Sequence, residues 1–148
     1  MKTAILYYSS HHGNTKKVVD AIAAADSEVV LIDVTDAANA GADLTSYDRI
    51  GLASGVYGGK PGKPIIKYAK QNMPVGKPSF FIMTSSMCKD GFLNQFRELA
   101  AEKDSQVLGS FQCEGYDTFG PFKLVGGVSK GHPSEEDLQN AVEFYKGL

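Results

Sequence analysis

The sequence predicts an α/β fold: a doubly wound, five-stranded parallel sheet of order 2-1-3-4-5 with helices on both faces. Three observations carry this. Short, continuous apolar runs recur along the chain, the pattern of strands covered on both faces. Amphipathic stretches alternate strictly with them, which argues for helical crossovers between parallel strands. Small, hydroxylic or glycine-rich segments follow the first, third and fourth runs, at the ends where such sheets bind ligands.

The first strand is expected over Ala4–Tyr8, and a helix over Asn14–Ala25 with Val18, Ile22 and Ala25 on one face. Val29–Ile32 reads as the second strand and Thr35–Tyr47 as a polar, Ala-rich loop with room for a helical turn. Arg49–Ala53 is the third strand, and Ser54–Gly62 a glycine-rich loop. Pro64 suits the first turn of the next helix, whose apolar face is Ile65, Ile66, Ala69 and Met73. Ser79–Met83 is the fourth strand. Lys89–Lys103 places Phe92, Phe96, Leu99 and Ala100 on one helical face. Val107–Phe111 is the fifth strand. Ser134 and Asp137 have capping-box spacing ahead of a last helix lined by Leu138, Ala141, Val142 and Tyr145. Cys113–Pro133 has weak periodicity, and a connection that long in a small domain is usually functional.

At 148 residues, 43% hydrophobic and 22% charged, the chain reads as one ordinary globular domain, residues 1–148. A net charge of −2 gives no sign of a nucleic-acid partner. No apolar stretch approaches the roughly 18 residues of a membrane span, and no leader is evident. Cys88 and Cys113 form neither a metal-ligand spacing nor a disulfide framework, so a reduced, cytoplasmic setting is expected.

The first strand-end segment, Tyr8-Ser9-Ser10-His11-His12-Gly13-Asn14-Thr15, carries hydroxyls, an Asn and a Gly where a helix begins. A helix N-terminus presents unpaired N–H groups and partial positive charge, so this is an anion site suited to a phosphate ester. His11 and His12 have no third ligand at a metal-binding spacing. Ser54-Gly55-Val56-Tyr57-Gly58-Gly59 and Thr84-Ser85-Ser86-Met87 follow strands three and four. In the 2-1-3-4-5 order the three segments are neighbours. One can hold a phosphate while the other two flank a flat ring, against which Tyr57 is the candidate to stack. Gly58 and Gly59 accept either sign of φ, so a peptide here can flip. Cys88 sits near a presumed helix start, where a thiol pKa can fall, and also fits a plain buried role.

With those segments, and the Tyr47-Asp48 lead-in to strand three, the chain resembles a short-chain flavodoxin over most of its length. The resemblance implies one non-covalent FMN. It places the phosphate on Ser9, Ser10, His11, Gly13, Asn14 and Thr15. It places the ring between Ser54, Gly55, Val56, Tyr57 and Gly58 on one side and Thr84, Ser85, Ser86 and Met87 on the other. It also implies low-potential electron transfer between redox protein partners. No acidic residue lies between Ser54 and Gly62, while Lys60 and Lys63 do lie there or next to it; positive charge favours a reduced, anionic flavin. A second expectation is an FMN-dependent NAD(P)H or quinone-type reductase, with Tyr116, Phe119 and Phe122 walling a substrate pocket. A third is a non-catalytic module for a phosphate ligand or a protein partner.

Overall fold

The computed structural model describes residues 1–10, 13–116 and 131–148. Five parallel strands, β1 (Thr3–Tyr8), β2 (Val29–Asp33), β3 (Arg49–Tyr57), β5 (Ser79–Ser85) and β6 (Val107–Glu114), lie in the order β2-β1-β3-β5-β6. Numbered among themselves they run 2-1-3-4-5. The two-residue β4 (Lys60–Pro61) pairs antiparallel with the end of β3 and lies off this path. Because the five are parallel, their carboxyl ends share one rim.

Helices α1 (Asn14–Ala25) and α4 (Glu135–Lys146) cover one face of the sheet, and α2 (Lys63–Asn72) and α3 (Asn94–Glu102) the other. Side chains alternate across a strand, so neighbours on β5 serve different cores. Phe81 packs with Phe96 of α3, ring centroids 5.4 Å apart. Phe80 packs with Tyr145 of α4 at 5.9 Å. Both phenylalanines are fully buried, each burial contributing roughly 1.5–3 kcal/mol.

Helical periodicity holds with small shifts. Val18, Val19 and Ile22 form the buried stripe of α1, whereas Ala25 is exposed at its last turn. Lys89–Lys103 is not one helix. A short 3₁₀ turn over Asp90–Leu93 precedes α3, and Arg97 reaches back to the Asp90 carboxylate at 2.7 Å. The loop after β2 contains one 3₁₀ turn, Ala37–Asn39, capped by Asp36. The Ser134–Asp137 capping box of α4 is present in both directions.

The glycine-rich stretch after Ala53 is largely strand. β3 continues to Tyr57 and turns back at Gly58 and Gly59, whose φ values of 62° and 79° are those of a two-residue hairpin. β5 likewise extends through Thr84 and Ser85, and β6 through Cys113 and Glu114.

The first and last elements are tied together beneath the sheet. The Tyr145 hydroxyl donates to the Asp26 carboxylate at 2.9 Å and lies 3.0 Å from Thr3 Oγ1. Arg49 Nε donates to the same Thr3 oxygen, and its guanidinium lies 4.6 Å from the Tyr145 ring centroid. Thr3, Arg49 and Tyr145 are all buried. Tyr145→Phe removes the hydroxyl and keeps the packing. Its expected effect is a loss of about 1–2 kcal/mol, which in a chain of this size lowers the melting temperature by roughly 2–8 °C. An unchanged melt would show that the hydroxyl contributes nothing.

Candidate functional site

A cleft opens at the shared rim. It is lined from β1 and α1 by Ser9, Asn14 and Thr15, and from β3 by Gly55, Val56 and Tyr57. Thr84, Ser85 and Ser86 line it from the end of β5, and Gly115 and Tyr116 from beyond β6. Three separate chain segments expected to meet there do meet.

The N-cap residue of α1 does not itself cap the first turn. That residue is Gly13, in the left-handed conformation at φ 66°, with no side chain to turn onto the first-turn N–H groups. Ser9 Oγ accepts from the Lys16 amide at 3.3 Å. Thr15 is buried, and its Oγ1 lies 2.8 Å from Thr84 Oγ1, locking the first turn of α1 against the end of β5. Asn14 is also buried. Its Nδ2 donates to the Tyr116 carbonyl at 2.8 Å, while its Oδ1 is buried with no hydrogen-bond partner among the described residues. That approach needs Gly115: a Cβ there would stand 2.6 Å from Asn14 Nδ2.

Tyr57 is turned onto the phosphate-type loop. Its hydroxyl lies 2.7 Å from Ser10 Oγ and accepts from the Ser10 amide at 3.3 Å. Its ring packs on Tyr8, centroids 5.4 Å apart, and lies over Gly55. The ring therefore narrows the cleft.

Other expected residues sit outside the lining. Ser54 is buried at the hairpin base, donating to the Gly55 carbonyl at 2.8 Å and accepting from the Gly62 amide at 3.0 Å. It braces the hairpin. Gly58 is exposed at the hairpin tip, and Met87 is exposed beyond Ser86, with Ser85 Oγ donating to its carbonyl. Ser10 and Gly13 border the cleft through the contacts above. His11 and His12 lie outside the described residues, as do Phe119 and Phe122. Gly115 as a lining residue was missed; the signal was available in the strand order, which puts the end of β6 beside that of β5.

Neither cysteine is activated. Partial desolvation of the exposed Cys88, then the Glu114 and Asp137 carboxylates, raise its thiol pKa. Burial and Asp137 push Cys113 up to about 12. Among the described residues no group of His, Cys, Asp or Glu could hold a metal ion, and no helix is long and apolar enough to cross a membrane.

A charged cluster stands behind Gly115 and Tyr116. His132 Nδ1 lies 2.6 Å from Asp137 Oδ2, and Nε2 3.8 Å from Glu114. The His132 carbonyl accepts from the Tyr116 amide at 2.9 Å. Burial pushes the Asp137 carboxyl up, but hydrogen bonds from Ser134 and His132 outweigh it and hold it low. The bond to Asp137 raises the imidazole above its usual 6.5. A group raised on folding contributes stability below its unfolded pKa and loses it as pH climbs through the folded one. His132→Ala should therefore lower the melting temperature more at about pH 5.5 than at about pH 9. Equal losses would mean the ring acts by packing alone.

The flavodoxin domain family matches residues 5–111. The whole chain is 37% identical to an uncharacterized protein of Methanocaldococcus jannaschii, over 98% of that protein. Among solved structures, a flavodoxin from the domain Archaea superposes with a TM-score of 0.67 at 18% identity, covering 97% of this chain and 92% of its own. Oxidised flavodoxin 1 from Bacillus cereus gives 0.65 at 20%, covering 99% of each. A flavoprotein from Lactobacillus acidophilus in complex with FMN gives 0.56 at 23%, covering 75% of this chain and 92% of its own. At these identities the structures speak to the fold.

Proposed function

The chain belongs to the flavodoxin domain family, and from that premise we propose that it holds one FMN in the cleft and carries electrons between redox proteins in the cytoplasm. One observation carries the reading. Hydroxyls and amides from β1, β3 and β5 converge on a helix N-terminus whose cap residue has no side chain of its own. An anionic group is favoured there by the helix dipole and by first-turn amides that the cap residue leaves uncapped. Among the described residues no Lys or Arg lines the cleft, so dipoles and hydroxyls are what would hold a phosphate.

The donor set fits FMN. Ser9 and Ser10 would supply hydroxyls, and Gly13 and Thr15 amides, for the phosphate. Among the described residues the buried Asn14 Oδ1 is an acceptor without a donor, which a ribityl hydroxyl would supply. Val56 and Tyr57 on one side and Ser85, Ser86 and Tyr116 on the other would bound the ring. FMN, when bound, supplies the electron-transfer chemistry. The chain orients it, keeps water from its buried side, and leaves the Gly58–Gly59 tip exposed, where no atom lies within 4 Å of a Cβ built on Gly58. Two glycines at this turn let its peptide take either sign of φ. Tyr116 at the cleft wall is the observation that favours the reductase reading instead.

Purified protein should be yellow and release FMN, and NAD(P)H alone should leave it coloured. Rapid bleaching by NAD(P)H alone would replace the carrier with a reductase. A colourless chain that rejects added FMN would remove the flavin altogether.

Tyr57 competes with the phosphate for Ser10. Its hydroxyl occupies the Ser10 amide and hydroxyl that the phosphate would use. Tyr57→Phe removes this competitor and keeps the aromatic face. FMN should then bind about two- to ten-fold tighter, the equivalent of one net hydrogen bond. Fluorescence titration of the apoprotein reads this, and unchanged or weaker binding would refute the competition.

A further inference from the structure

Charge is partitioned along the chain in a way that the near-neutral total conceals. Residues 49–89 contain seven basic residues and no acidic one. The other 107 residues hold eight basic and all seventeen acidic residues, a net of −9. The basic segment comprises β3, the hairpin to β4, α2 and β5, and so includes one wall of the cleft.

Within it, Lys63, Lys67 and Lys70 stand at i, i+4 and i+7 on α2. That spacing makes one stripe along a helix about 15 Å long. All three are exposed, and among the described residues none forms a salt bridge. The stripe edges a groove floored by half-buried Ile66, with Gln71 and Gln95 of α3 as hydrogen-bonding groups and no acidic residue in it. Lys60 continues the positive charge to the hairpin, where Glu98 shares its hollow. Ahead of α3, the Asp90 carboxylate is engaged by Arg97, and Glu102 stands at the far end of that helix.

We propose that the Lys63–Lys67–Lys70 face of α2 is the docking surface for an acidic redox protein. This rests on the electron-carrier reading above. Complementary charge steers encounter and fixes orientation. Here the stripe runs out from the hairpin, so a partner seated on it lies beside the exposed edge of the cleft. A small apolar floor with amide groups gives the contact a core and rim of the kind protein interfaces have. A nucleic acid is the poorer occupant: three charges in one stripe are few, no aromatic side chain stands among them, and the rest of the molecule is negative. An anionic bilayer is poorer too, because Ile66 is half-buried in a groove and no apolar side chain projects from the stripe.

The test uses the full chain loaded with FMN and, as probe, an acidic [2Fe–2S] protein, titrated by calorimetry. Loading is read first from absorbance. The wild-type chain should bind the probe and weaken on the order of ten-fold or more between about 20 and about 200 mM salt. Lys67→Glu/Lys70→Glu should weaken it at least about ten-fold at low salt, with Lys67→Gln/Lys70→Gln between the two. Both variants should keep their FMN content and melting temperature, since neither lysine lines the cleft. A chain that takes no FMN defeats the carrier reading. A loaded chain that does not bind the probe, or binds it equally after charge reversal, defeats the docking surface. Tighter binding to a short DNA duplex or to phosphatidylserine vesicles than to the probe also overturns it.

Discussion

The contact on which the site depends is the hydroxyl pair between Thr15 and Thr84, 2.8 Å apart, buried, and separated by 69 residues of chain. A net neutral hydrogen bond contributes only about 0.5–1.5 kcal/mol, but leaving one buried partner unsatisfied costs about 1–3. The pair therefore acts as a registration device. It seats the first turn of α1 against the end of β5, across the intervening strand β3. With α1 so placed, Asn14 meets the Tyr116 carbonyl over Gly115, and the end of β6 joins the rim. One polar contact thus fixes α1 against strand ends that the parallel sheet already gathers at one rim.

The parallel sheet makes such convergence possible, and the two cores hold it rigid. Phe80 and Phe81 anchor β5 to opposite layers, so Thr84 is positioned from both faces. The far wall is secured differently. Tyr116 and His132 are joined by a backbone hydrogen bond, and His132 is held by Asp137, which also caps α4. The cleft therefore rests on packing at β1, β3 and β5 and on polar contacts beyond β6.

Much of this is legible in the sequence because periodicity and strand order are properties of the chain itself. Asn14–Ala25 emerges as a helix with those ends, and the capping box at Ser134 is readable from two residues. The stretch after Ala53 misleads for a definite reason. Its glycines signal a loop, yet Gly58 and Gly59 supply the two positive φ values of a tight hairpin, which lets the strand run on to Tyr57. Ser54 illustrates the limit at the site. A hydroxyl at a strand end is a fair ligand candidate, but β3 runs on past Ser54, and strand alternation puts it on the side of Leu52 and Val56, where it accepts from the Gly62 amide. The inward turn of Tyr57 onto Ser10 is likewise set by packing on Tyr8, which no local pattern encodes.

On the FMN reading, the N-terminus of α1 is what recognises the phosphate. Comparing the affinity of the apoprotein for FMN with that for riboflavin, which lacks only the phosphate, tests it directly. FMN should bind at least about a hundred-fold more tightly, close to 3 kcal/mol, with the gap narrowing as inorganic phosphate is added to compete. Equal affinities for the two flavins would contradict the account.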